Sequence, residues 1–264
     1  MIIIWQPSRS SPSNPRKSNA LPFPHPMKPR APRSRFFLYM GITFLVIALV
    51  GFSTTFFIPL ARGVFHAPLV IHVHGAMLFG WLLLFILQAS LIQQRRFPRH
   101  RQIGWFAFGL SVCITISGVL VGLHATRRDL ASGPDPFVLG QFVNILIEML
   151  LFLALVAAAI VYRRDGETHK RLLLLATISV LAPAWLRLRH LLPAVPSPFV
   201  TFSLLADSLL LVAILQDVIV RRSVHRSYLW AGGLMVTIHV VELIAITSPP
   251  WLWLSQRLLN VPTM

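Results

Sequence analysis

Seven long apolar stretches fill residues 36–254 of this 264-residue chain, and the short segments between them alternate between strongly basic and nearly uncharged. The stretches run Phe36–Leu60, Leu69–Ile92, Gly104–His124, Phe137–Tyr162, Leu172–Leu192, Phe199–Val220 and Leu229–Trp251. Each reaches the roughly 20 residues that a helix needs to cross a hydrocarbon layer about 30 Å thick. A water-soluble helix of that length would turn a polar position outward every third or fourth residue, and most of these do not. The first, for example, holds no charge between Arg35 and Arg62. The pattern predicts an all-α fold, a seven-transmembrane-helix bundle over residues 36–254 followed by a short external tail at 255–264.

Lysine and arginine then set an orientation. Seven precede the first stretch, and the segments after the second, fourth and sixth carry four, four and three; the remaining six lie on the other side. Eighteen against six places the N-terminus inside and the C-terminus outside by the positive-inside rule, and six or eight helices would scramble the alternation. The net charge of +16 is thereby explained by topology, and the expected partner is the lipid bilayer. Runs such as Arg95-Arg96 sit in short juxtamembrane loops, which argues against a nucleic-acid partner.

The single cysteine, Cys113, lies within the third stretch, so neither an intramolecular disulfide nor a thiolate metal cluster is available. Residues 1–35 hold eight prolines, six serines and no acidic residue, which predicts a disordered basic tail. Met27 is an alternative start of translation. The basic loops also echo one another: Arg95-Arg96 to His100-Arg101, Arg163-Arg164 to His169-Lys170, Arg221-Arg222 to His225-Arg226. Three related hairpins behind an added first helix would give this echo, as would the general likeness of basic hairpin loops.

Candidate chemistry comes from ionisable residues inside the stretches, each of which costs about 2.5–3.5 kcal/mol or more in a bilayer. Four of the eight acidic residues are there, Glu148, Asp207, Asp217 and Glu242, together with His72, His74, Arg187, His190 and His239. Heptad spacing puts His74, Trp81 and Gln88 on one face and turns His72 away. Gln141, Asn144 and Glu148 share a second face, His239 and Glu242 a third, and Arg187 and His190 a fourth. Ser111, Thr115, Gly118 and Gly122 form a small-residue stripe suited to close helix packing, and Pro183 predicts a kink four residues before Arg187. At about 1.5 Å per residue, Glu148 lies near mid-membrane, with His74, Arg187, Asp207, His239 and Glu242 from there outward. The expectation is one buried pocket of Trp81, Asn144, Glu148, Arg187, Asp207, His239 and Glu242 opening to the outside.

Three chemistries suit such a set, besides a purely structural ion-paired network with Arg187 on Glu148 or Asp207. The first is axial ligation of b-type haem, with His74 and His190 or His124 near the outer face and His100 and His169 near the inner. The run from His74 through His100-Arg101-Gln102-Ile103-Gly104 resembles the di-haem transmembrane cytochromes that pass electrons from ascorbate-type or quinol donors, although the fourth stretch has no histidine. The second is a zinc or copper site of His74, His239, Glu242 and Asp207. Seven helices with an inside N-terminus are similar to the progestin and adipoQ receptor, haemolysin-III and alkaline-ceramidase hydrolases, but their His-x-x-x-His in the last helix is missing. A retinal Schiff base has no lysine in the seventh stretch. The third is transport or binding of a small molecule, anion or proton, including a quinone-like ligand, with Arg187 as anion anchor and Glu148 as proton carrier.

The string His72-Val73-His74-Gly75, Trp81, Gln88, His100-Arg101, Gly104, Thr168-His169-Lys170-Arg171-Leu172 and Pro183 to Arg187 resembles a group of bacterial inner-membrane proteins without an assigned reaction. A second multi-pass family is similar around the His, Gln and His-Arg-x-x-Gly positions. The resemblance implies a multi-pass protein of the bacterial cytoplasmic membrane. A redox or haem site built on His74, His100, His169 and His190 ranks just ahead of a transport or binding role.

Overall fold

The computed structural model describes residues 35–192 and 197–260. The basic tail, apart from Arg35, and the last four residues lie outside the described part. Seven helices are long and apolar enough to cross a membrane. They are α1 Phe36–Ala61, α2 Leu69–Gln93, α3 Phe97–Leu130, α4 Pro136–Val161, α5 Gly166–His190, α6 Pro198–Arg221 and α7 Tyr228–Ala245. An eighth helix, α8 Pro249–Leu259, follows, and no strand occurs among the described residues.

The outward surface of the bundle is apolar: Leu69, Val161, Ile219, Trp230 and Ile244 are each more than 70% exposed. A continuous surface of this kind is stable only in a non-aqueous surround, so this is a multi-pass membrane protein.

Loops and breaks follow the local chemistry. Asp135 caps α4 by accepting from the Phe137 and Val138 amides, and Asp165 caps α5 by accepting from Glu167 and Thr168. Each carboxylate satisfies amides that have no partner inside the helix. Proline opens α4, α6 and α8 at positions where no amide hydrogen is needed. Helix α5 is not continuous: its regular part stops at Ser179 and resumes at Ala182, the break that Pro183 imposes by lacking an N–H.

Sequentially adjacent helices α1 to α6 pack together, except that α6 meets mainly the second half of α5, and α1 also packs against that half. The small-residue stripe of α3 lies on α4. Met149 sits where a side chain on Gly118 would go, Ile145 does the same at Gly122, and Thr115 Oγ1 donates to the Met149 carbonyl at 3.4 Å. The main apolar core, including Phe44, Phe152, Leu174, Leu175 and Met235, fills the half of the bundle nearer the basic loops.

Two boundaries differ from the sequence reading. Helix α3 runs 34 residues, extending past the apolar stretch at both ends. The seventh span closes at Ala245, and residues 249–259, read as the end of that span and the start of a tail, form α8. That helix packs on α4 with Ser255 and Gln256 buried. A run containing Trp251, Trp253 and Leu254 looks like membrane span by hydropathy, but Pro249 and Pro250 start a new helix.

Candidate functional site

The polar residues of α4, α6 and α7 converge. His239 on α7 stands between two carboxylates from different helices. Its Nδ1 is 2.7 Å from Asp207 Oδ1 on α6, and its Nε2 is 3.0 Å from Glu148 Oε1 on α4, within ion-pair distance but off the line of a hydrogen bond. Glu242, one turn along α7, is 7% exposed, and its carboxyl adjoins that of Glu148. Side-chain exposures of 11% for His239, 14% for Asp207 and 19% for Glu148 show a site inside the bundle.

Depth follows from helix geometry. Glu148 is the thirteenth residue of the 26-residue α4, about 18 Å from either end at 1.5 Å per residue. The cluster therefore lies at mid-span. On its basic side are the apolar core residues Leu151, Phe152 and Leu155 of α4. On the other side polar atoms continue: Gln141 Oε1, Asn144 Nδ2, Glu148 Oε2 and Glu242 Oε1 are shielded and have no hydrogen-bond partner among the described residues.

Helix α8 covers that polar side. The Trp251 indole N–H donates to Asn144 Oδ1 at 2.9 Å, one turn from Glu148, and Ser255 Oγ donates to the Leu139 carbonyl at 2.5 Å. The turn between α7 and α8 presses against Gly140 so closely that the Ile246 carbonyl occupies the place of a Cβ.

Of the expected pocket, the structure thus joins Glu148, Asp207, His239, Glu242 and Asn144, and places two members elsewhere. Trp81, at mid-length of α2, is buried against other partners, donating to Thr177 Oγ1 at 3.2 Å and packing edge-on to Phe152. Arg187 turns to α1: its guanidinium lies 4.4 Å from the Phe52 ring centroid and donates to the Pro183 carbonyl at 2.9 Å. An ion pair from Arg187 to Glu148 or Asp207 is not formed; the kinked second half of α5 packs on α1 and carries the arginine with it. Arg187 is therefore not the anion anchor expected beside the carboxylates.

Of the histidines expected as haem ligands, the outer pair His74 and His190 is not brought together, whereas the inner pair His100 and His169 meets. His74 Nδ1 is 2.9 Å from Ser117 Oγ on α3. His190 is exposed at the end of α5. His100 and His169 meet near the basic end, with ring centroids 6.2 Å apart and planes at 82°. His72 sits between Phe56 and Phe65, away from the stripe of His74, as the heptad spacing predicts. No group of three or more His, Cys, Asp or Glu side chains with metal-holding geometry occurs among the described residues. The proposed set of His74, His239, Glu242 and Asp207 is not assembled as a metal centre.

One network was not expected. Arg171 of α5, only 2% exposed, pairs through two nitrogens with Asp217 of α6. It also donates to Glu167 Oε2 at 2.6 Å and lies 5.5 Å from the Tyr228 ring centroid of α7. Glu167 further binds Lys170 at 2.6 Å and Arg221. Charge counting assigns Arg171 to a solvated loop; the signal for burial is Asp217, an acidic residue inside an otherwise apolar run that needs a partner. In the adjoining turn, His225 is held below the usual imidazole range, first by burial and then by the Arg171 and Arg221 charges.

No protein-family model, curated protein or solved structure matches the chain.

Proposed function

We propose that the protein is a proton-linked transporter whose carrier site is Asp207–His239–Glu148–Glu242, set in a bacterial cytoplasmic membrane with the basic loops in the cytoplasm. The observation that carries this reading is His239 standing between two carboxylates at mid-span. Three carboxylates meet one imidazole, and His239 is the only basic partner of Glu148 and Asp207 among the described residues. Uncompensated charge in hydrocarbon is costly, so the cluster is stable when protons neutralise the surplus, and binding a proton is its natural chemistry.

Imidazole suits the relay because its two nitrogens exchange protons independently. A proton accepted at Nδ1 from Asp207 leaves one at Nε2 to pass to Glu148, and Glu242 is the next acceptor beside it. The unpartnered polar atoms under α8 connect the cluster to the periplasmic end, while the apolar core and the Arg171–Asp217 pair close the cytoplasmic end. Support for the orientation is the loop charge, eighteen basic residues against six.

The test is proton movement. Purified protein in liposomes loaded with a pH-sensitive dye is exposed to a potassium-diffusion potential, with and without a panel of small solutes. The reading expects internal pH to change faster than in empty liposomes, and Glu148→Gln and His239→Gln to remove the difference. Equal rates for wild type and both variants under every condition would refute it.

A further inference from the structure

The third member of the α2 stripe, Gln88, is not part of the mid-span site. Both its side-chain atoms, Oε1 and Nε2, are shielded and unpartnered among the described residues. Across the α2–α3 hairpin, His100 lies against the Gln88 backbone carbonyl, and its Nδ1 is also shielded and unpartnered. His169 of α5 faces His100 edge to face. Its Nδ1 is 2.7 Å from the Ala159 carbonyl; a carbonyl only accepts, so Nδ1 carries the hydrogen and Nε2 is a bare acceptor. Three orphaned polar atoms on two adjoining residues are unusual, because each costs about 1–3 kcal/mol. Together they offer amide donors and ring acceptors to a ligand.

The same two helices supply an apolar approach. A groove of about 560 Å³ runs along the lipid-facing side between α2 and α3, lined by Val73, Met77, Gly80, Leu84, Leu87 and Phe106 among others. Its volume is in the range of small-molecule sites. From Val73 to Leu87 it extends about 21 Å along the helix, and its end at Leu87 is one residue and about 100° of helix rotation from Gln88, on the next face inward. Gly80 keeps it open, since no atom lies within 4 Å of the position its Cβ would take. A lipid acyl chain would fill the groove and leave the polar atoms unsatisfied. A polar solute would do the reverse.

We infer that Gln88, His100 and His169 bind the headgroup of a prenylated quinol from the cytoplasmic leaflet, with the prenyl tail in the α2–α3 groove. The Gln88 amide donates to one ring hydroxyl oxygen, and His169 Nε2 accepts from the other ring hydroxyl. The site is independent of the mid-span carboxylates.

Protein purified in mild detergent is extracted with organic solvent and its quinone content measured. Stripped protein is then titrated with a decyl-benzoquinol kept reduced, followed by tryptophan quenching. Wild type is expected to carry quinone and bind the analogue, with affinity reduced about tenfold by loss of one buried hydrogen bond in Gln88→Leu or His169→Leu. Gly80→Leu should weaken it by blocking the groove, and Glu148→Gln should leave it unchanged. Thermal melts confirm that each variant is folded. The inference is overturned if wild type does not bind the analogue, or if the stripe and groove variants bind it as wild type does. It is also overturned if a reduced-minus-oxidised spectrum shows a b-type band that disappears in His100→Ala and His169→Ala, which would assign the pair to iron.

Discussion

His239 Nδ1 lies 2.7 Å from Asp207 Oδ1, joining α7 to α6 inside the membrane span. The same ring reaches Glu148 on α4 with its other nitrogen, so one imidazole ties three helices and bridges two carboxylates. His239→Gln keeps a polar side chain of similar reach but cannot pass a proton between its two ends. Proton movement in liposomes should fall to the level of empty liposomes while the fold is kept, as judged by helix content. Asp207→Asn should act in the same direction, because an amide neither takes up nor releases a proton at neutral pH. Retention of full flux by both variants would remove the relay.

The buried Arg171–Asp217 pair holds the basic-loop ends of α5 and α6 together. Asp217 also accepts from the His225 amide at 3.2 Å, so it fixes the turn into α7. Asp217→Ala leaves a guanidinium that is 2% exposed with only the more exposed Glu167 as counter-charge and should cost up to about 3–5 kcal/mol. Arg171→Met with Asp217→Leu removes both charges and should recover most of that loss. Detergent melts of the single and double variants decide this; equal destabilisation of both would mean that packing, not the stranded charge, sets the cost.

Glycines fall into two groups that predict opposite signs. At Gly140 the Ile246 carbonyl, and at Gly51 the Ala184 carbonyl, occupy the space of a Cβ. Backbone cannot move as a side-chain tip can, so Gly140→Ala and Gly51→Ala should each destabilise by about 1–3 kcal/mol. Gly109 has open space at the same position, and Gly109→Ala should stabilise by about 0.5–1 kcal/mol through the helix preference of alanine. Melting temperatures that shift alike at all three sites would contradict the packing of α8 on α4 and of α5 on α1.

Acid should loosen the turn between α6 and α7. Neutral His225 accepts from the Ser227 amide at 3.2 Å, and burial with the neighbouring arginines keeps it below the ordinary imidazole value. As pH falls through about 6.5, the unfolded chain takes up a proton that the folded one does not, so stability declines. His225→Asn should lessen that decline. Asp165, held below the usual carboxylate range chiefly by the Thr168 hydroxyl, adds a second loss only below about pH 4. Melts from pH 8 to pH 3 separate the two windows.

Much of this architecture is legible in the apolar runs. Seven spans, the small-residue stripe of α3 and the α5 break at Pro183 all follow from positions that leave few physical choices. The heptad face of His74, Trp81 and Gln88 also points inward, and His72 is turned away from it. Which polar faces meet was not legible, because helix order in a bundle depends on side-chain packing that no single stretch encodes. Arg187 illustrates this: its depth matches the carboxylates, yet the kinked segment carrying it packs on α1. Arg171 failed for the opposite reason, since an arginine at a helix end looks solvated until Asp217 is brought to it. Helix α8 was hidden because its aromatic residues are as apolar as a span.

Infrared spectroscopy of protonated carboxyl groups tests the central claim most directly. Wild-type protein in lipid is titrated, and its carboxyl C=O bands are compared with those of Glu148→Gln, Asp207→Asn and the variant carrying both with Glu242→Gln. The account predicts a pH-dependent band, shifted in D2O, that weakens in each single variant and vanishes in the triple variant. Identical carboxyl spectra for wild type and triple variant across the titration would show that these residues hold no exchangeable proton, and the mid-span relay would fall.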